Sequence, residues 1–99
     1  MSTQAHPNAT ELDLSDVLQA LSDPVRRSIV AKLAREGGEV PCGGFDLTIA
    51  KSTRTYHFRI LRDAGLIAQR EEGNRKLNTL LRDDVDARFP GLLEAVLGE

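Results

Sequence analysis

Prolines and glycines interrupt this chain so often that only short elements fit between them. Ser22-Asp23-Pro24, Gly37-Gly38, Pro41 with Gly43-Gly44, Gly65, Gly73-Asn74 and Pro90 divide the 99 residues into pieces of helix or strand length. Proline removes a backbone donor and crowds a continuing helix, while glycine supplies the backbone conformations that end one. No apolar run approaches the ~20 residues of a bilayer span. One small domain is what this length and punctuation permit.

The pieces have distinct periods. Leu14, Val17, Leu18 and Leu21 fall at i, i+3, i+4 and i+7, the apolar stripe of a short first helix. Asp23 suits an N-cap and Pro24 the first helical position, so a second helix is expected over 24–36, burying Val25, Ile29 and Leu33 and ending at Gly37. The stretch EVPCGGFDLTIA permits at most a helical turn around 45–49. A helix beginning at Lys51 or Ser52 then runs to Ala64, with Gly65 as its stop. Residues 66–71 and 75–80 read as strands around a protruding EEGN turn, with Gly73 and Asn74 available for positive φ. A last stripe of Val85, Phe89, Leu92, Leu93, Val96 and Leu97 is broken by Pro90, which predicts a kink or a restarted helix.

The expected fold is therefore mainly α with a small β-hairpin, over residues 11–99, preceded by a flexible polar arm at 1–10. Two terminal apolar helices exceed what so small a core requires. Leu14, Val17 and Leu18 with Leu92, Leu93 and Val96 are the candidate dimerisation surface, packing over the subunit's own core being the alternative. A single cysteine, Cys42, excludes an internal disulfide framework. With no signal-peptide pattern at the N-terminus, it predicts a cytoplasmic protein without a membrane partner.

Net charge is −2, but its distribution is lopsided. Residues 51–76 carry seven cations and three acids, against six cations and twelve acids elsewhere. Advancing 100° per residue from Lys51 gathers Lys51, Ser52, Thr55, Tyr56, Arg59 and Arg62 into an arc of about 140°. His57, Ile60, Leu61 and Ala64 take the opposite side. Cations interleaved with short hydroxyls and an aromatic are the groups that contact phosphates and base edges in a major groove. Thr53, with the free backbone N–H groups of the first turn, suits a phosphate oxygen, and Arg54 can bend toward one or pair with an acid. Arg75 and Lys76 on the hairpin would touch the flanking backbone. The competing reading is a solvated cationic face that balances the protein's own acids, with Arg62 in an internal salt bridge and Tyr56 packed.

These blocks, LQALSDPVRRSIVAKL, KSTRTYHFRILRDAGLI and EEGNRKLNTLL, resemble in order the ArsR-type winged helix-turn-helix transcriptional regulators, over about residues 14–81. The resemblance implies a homodimer built by the first and last helices. It places the 52–64 helix in the major groove of double-stranded DNA and makes the hairpin a wing. The family's DNA-reading positions fall on Lys51, Ser52, Thr55 and Tyr56, with Arg59 on the same side. Two departures stand out. VPCGGFDLTIA is short and glycine-rich where the family has an amphipathic helix, and Arg54 occupies a place usually apolar.

Metal sensing in such proteins uses cysteine pairs or His and carboxylate sets, and Cys42 with Asp83, Asp84, Asp86 and Glu94 is a poor match. No metal or other cofactor is expected. Cys42 is a small apolar filler or, alternatively, a thiol switch, and His57 a hydrogen-bonded core histidine. Ser52 and His57 point to different faces of one helix and the glycine pairs lack phosphate-loop spacing, so catalysis is not expected. The expected function is a sequence-specific DNA-binding regulator, a repressor acting as a homodimer on a pseudo-palindromic operator, with inducer unknown. Its rivals are a protein-interaction module on the same scaffold and a thiol-responsive regulator.

Overall fold

The computed structural model describes residues 11–98, so the arm expected at 1–10 lies outside the described residues. The helices start where local chemistry dictates. α1 (Leu14–Ala20) is capped by Asp13, whose carboxylate accepts the Asp16 N–H at 3.1 Å. α2 (Pro24–Glu36) is capped by Asp23, whose Oδ1 accepts the N–H groups of Val25 at 2.8 Å and Arg26 at 3.1 Å. It ends at Gly37, held at φ 72°, where a Cβ would be strained. α3 (Lys51–Asp63) ends in a Schellman motif. Gly65 donates to Arg62 O and Leu66 to Leu61 O, both at 3.0 Å, with Gly65 at φ 85°.

β1 (Val40–Pro41), β2 (Ile67–Glu72) and β3 (Arg75–Leu80) form an antiparallel sheet in the order β1-β3-β2. The third strand corrects the two-stranded hairpin. Val40 and Pro41 pair with Asn78 and Leu77, a long-range ladder with no period of its own to betray it. The wing turn also differs, since Gly73 takes φ 61° and Asn74 keeps a negative φ. Positive φ at the first central residue alone matches the glycine-first primed turn.

No helix forms over 45–49, and the only helical turn of this segment is a 3-10 turn at Cys42–Gly44. Side chains hold it instead. Phe45 is buried edge-on against Phe58, ring centroids 5.3 Å apart, and Lys32 Nζ donates to Gly44 O at 2.7 Å. Gly44 sits at a close approach, since a Cβ there would lie 3.1 Å from Val40 Cγ1 and that side chain would have to shift by a few tenths of an ångström. This irregular segment stands where a first helix of the helix-turn-helix was wanted.

After β3 the chain makes α4 (Arg82–Arg88) and α5 (Leu92–Leu97), separated by Phe89, Pro90 and Gly91 at φ 82°. The last stripe is thus two helices, a restart and not a bend. The core is Val17, Ile29, Val30, Leu33, Leu61, Leu66, Ile67, Val85 and Leu93, each at most 1% exposed. Two expected dimerisation residues, Val17 and Leu93, are therefore corrected. A core this small consumes them inside the subunit, leaving nothing for a partner to touch. Leu14 and Leu18 remain 46% exposed each, while Leu92 and Val96 are half-buried over the core. No described helix is long and apolar enough to cross a membrane.

Candidate nucleic-acid interface

α3 buries His57, Phe58 and Leu61 against the core and turns its other side outward. Lys51, Ser52, Thr53, Thr55, Tyr56 and Arg59 are exposed, and Arg54 is half-buried. The N-cap, Ala50, supplies no side-chain acceptor, so the first-turn N–H groups stay open to an anion. Arg59 lies over the Tyr56 ring at 5.6 Å, and Tyr56, at 48% exposed, projects and does not pack inward.

Between α3 and the β2–β3 wing runs a groove of 520 Å³. Lys51, Arg54, Arg59, Arg62 and Lys76 line it, and no carboxylate does. Among the described residues, Lys51, Arg54, Arg59 and Lys76 have no acid within ion-pairing distance. Arg62 behaves differently, as suspected, lying 3.6 Å from Asp63 and donating to Gln69 Oε1 at 3.2 Å.

The wing is less cationic than its sequence. Arg70 pairs with both carboxylate oxygens of Glu39 and, at 3.0 Å, with Glu72, which raises its pKa further. The hydrogen bond from Arg70, outweighing a slight desolvation, lowers that of Glu39. Arg75 contacts Glu72 at 3.3 Å, an exposed pair weak enough to exchange for a phosphate. Lys76 has no such partner among the described residues.

Behind the interface lie buried polar residues that periodicity alone did not expose. Gln69 and Asn78 face each other across β2 and β3, 3% and 0% exposed. Gln69 donates to Asn78 Oδ1 at 2.8 Å, and Asn78 donates to Val40 O at 3.1 Å and to Cys42 Sγ at 3.2 Å. Cys42 is thus half-buried at the groove wall, packed against the core. Arg26 was also missed. It occupies the buried stripe of α2 with Ile29, Val30 and Leu33, and that spacing was the available signal. His57 is the core histidine expected, 3.1 Å from Arg26 through Nδ1. Among the described residues no cluster of His, Cys, Asp or Glu could hold a metal.

A three-part comparison decides the family. The model of a helix-turn-helix domain matches residues 21–70, from the end of α1 through α3 into β2. An uncharacterized HTH-type transcriptional regulator, YceK of Bacillus subtilis (strain 168), is 38% identical over 84 residues, spanning 83% of this chain and 84% of that protein. The crystal structure of an ArsR family transcriptional regulator superposes with a TM-score of 0.69 at 25% identity, over 83% of this chain and 90% of its own. This chain belongs to the ArsR family of helix-turn-helix transcriptional regulators. The ArsR family is one of DNA-binding regulators and not of enzymes, and the outward face of α3 in this chain offers cations and hydroxyls.

Proposed function

We propose that this ArsR-family chain is a homodimeric repressor that reads a pseudo-palindromic operator in double-stranded DNA. The observation that carries the reading is the set of cations on one face of α3 and the wing that no acid of the described chain neutralises. Lys51, Arg54, Arg59 and Lys76 neutralise phosphates, and Arg75 joins them by exchanging Glu72 for one. The Thr53 hydroxyl and the open first-turn N–H groups donate to a phosphate oxygen, and Ser52, Thr55 and Tyr56 reach base edges. Leu14 and Leu18 on α1, with Leu92 and Val96 beside the core, supply the contact between copies. Two-fold symmetry then sets the half-sites about 34–36 Å apart, or a multiple of that.

A salt titration of operator binding tests this. With 6–10 phosphate contacts per dimer, affinity falls by roughly 10³–10⁵ between about 50 and 200 mM salt. A flat titration, or no duplex enriched from a randomised library, favours a protein-interaction module instead. A thiol-responsive form of the same function is supported by Cys42 lining the groove. Alkylating Cys42 would then release DNA from the wild-type protein and not from Cys42→Ser.

A further inference from the structure

The Arg26–His57 contact places a permanent cation inside the subunit, directly under the recognition surface. Both residues are 8% exposed. Arg26 Nε donates to Ala20 O at 2.7 Å and Nη2 to Gln19 O at 3.1 Å, so one side of the guanidinium takes up carbonyls at the C-terminal end of α1. That end is where carbonyls lack helical partners and the helix dipole is negative. Nη1 points at His57 Nδ1, 3.1 Å away. Arginine has donors only and keeps its proton in proteins, so Nδ1 must be the acceptor and the neutral ring carries its hydrogen on Nε2.

We propose that Arg26 and His57 are positioning residues that fix the rotation of α3 about its axis, and so aim Ser52, Thr55 and Tyr56. The proposal rests on the DNA-binding reading above. Apolar burial is non-directional, so by itself it leaves a helix freer to turn about its own axis than a directed bond does. At the outer radius of a helix, about 5–6 Å, a 20° rotation moves a side chain by about 2 Å, beyond what a hydrogen bond to a base edge tolerates. A directional bond from a fixed guanidinium restricts that freedom. Burying a charge for packing alone is a poor exchange for two leucines, which makes the geometric role the better account of its presence.

The test uses the full chain and a duplex that the wild-type protein enriches from a randomised library. His57→Leu keeps apolar bulk and removes the acceptor. His57→Asn restores an acceptor where Nδ1 was. For His57→Leu, the ratio of affinity for the selected duplex to that for random duplex falls about tenfold, the discrimination of one misplaced base contact. Random-duplex affinity and its salt slope stay as in wild type, and His57→Asn recovers most of the ratio. Nitrogen NMR of the wild-type imidazole finds Nδ1 bare and Nε2 protonated, a readout independent of whether the leucine variant folds. An unchanged ratio in His57→Leu, failure of His57→Asn to recover it, or a proton on Nδ1 in the neutral ring overturns the positioning role. If the wild type enriches no duplex, the DNA-binding reading itself fails, which is a different result.

Discussion

Single residues divide sharply between those held by their own molecule and those held out from it. Arg59 is held out, touching the Tyr56 ring but no acid among the described residues. Arg59→Ala is expected to weaken binding to the selected duplex by roughly 1–3 kcal/mol, read as a titration against wild type. Unchanged affinity would remove Arg59 from the contact set. Asp23 is held in. Burial pushes its carboxyl pKa up, but N–H bonds from Arg26 and Val25 and the charge of Arg26 outweigh that and lower it. A carboxyl depressed by folding contributes stability above its unfolded pKa and loses it as pH falls through the folded one. Stability should therefore drop as pH falls below about 4, and Asp23→Asn, which keeps a capping acceptor, should flatten that part of the curve in denaturant unfolding at a series of pH values. Asp23→Ala loses the cap as well and costs about 1 kcal/mol at neutral pH. A stability–pH curve for Asp23→Asn that superposes on wild type would disprove the linkage.

Elements were legible where their signals are local. Asp23-Pro24, Gly37 and Gly65 announce the bounds of α2 and α3 because capping is decided within a turn of the residue concerned. The outward face of α3 was equally legible, since one 100° step per residue separates Lys51, Thr55 and Arg59 from His57 and Leu61. What could not be read depends on residues far apart. Val40 and Pro41 become a strand only by meeting Leu77 and Asn78, and Cys42 is packed by the hydrophobic core and by Asn78 and Gln69, which are distant in sequence. The amides of Gln69 and Asn78 hold the wing to β1, and to α3 through Arg62, so their removal should be felt by the element as a whole. Asn78→Leu takes the Asn78 acceptor from Gln69 Nε2 and the Asn78 donor from Val40 O in the interior, and should cost about 1–3 kcal/mol in urea unfolding. The double variant Gln69→Leu with Asn78→Leu removes both partners together and should lose less than the sum of the single changes. Strict additivity would mean that the two amides do not act as a unit.

At the scale of the whole molecule, the question is what covers α1. Its inward residues, Val17, Ala20 and Leu21, complete the subunit core, yet Leu14 and Leu18 stand 46% exposed on the same seven-residue helix. Two leucines one turn apart form a narrow stripe that water covers poorly and a symmetry-related stripe would cover well. Sequence periodicity placed Leu14, Val17, Leu18 and the C-cap Leu21 on one face and could not tell which half the core would take. Packing made that division. If the exposed half joins two copies, Leu14→Glu with Leu18→Glu sets like charges against each other across the two-fold axis while leaving Val17 and Leu21 in place. Sedimentation should then report a monomer where wild type is a dimer. The unfolding signal of the subunit core should survive, although the midpoint becomes less concentration-dependent. Affinity for the palindromic duplex should fall far more than affinity for a single half-site, because the second half-site contact is lost with the linkage between copies. A variant that still sediments as a dimer would move the interface off α1, toward Leu92 and Val96. A wild-type protein that is monomeric at micromolar concentration and still binds the palindrome tightly would refute the two-fold docking outright.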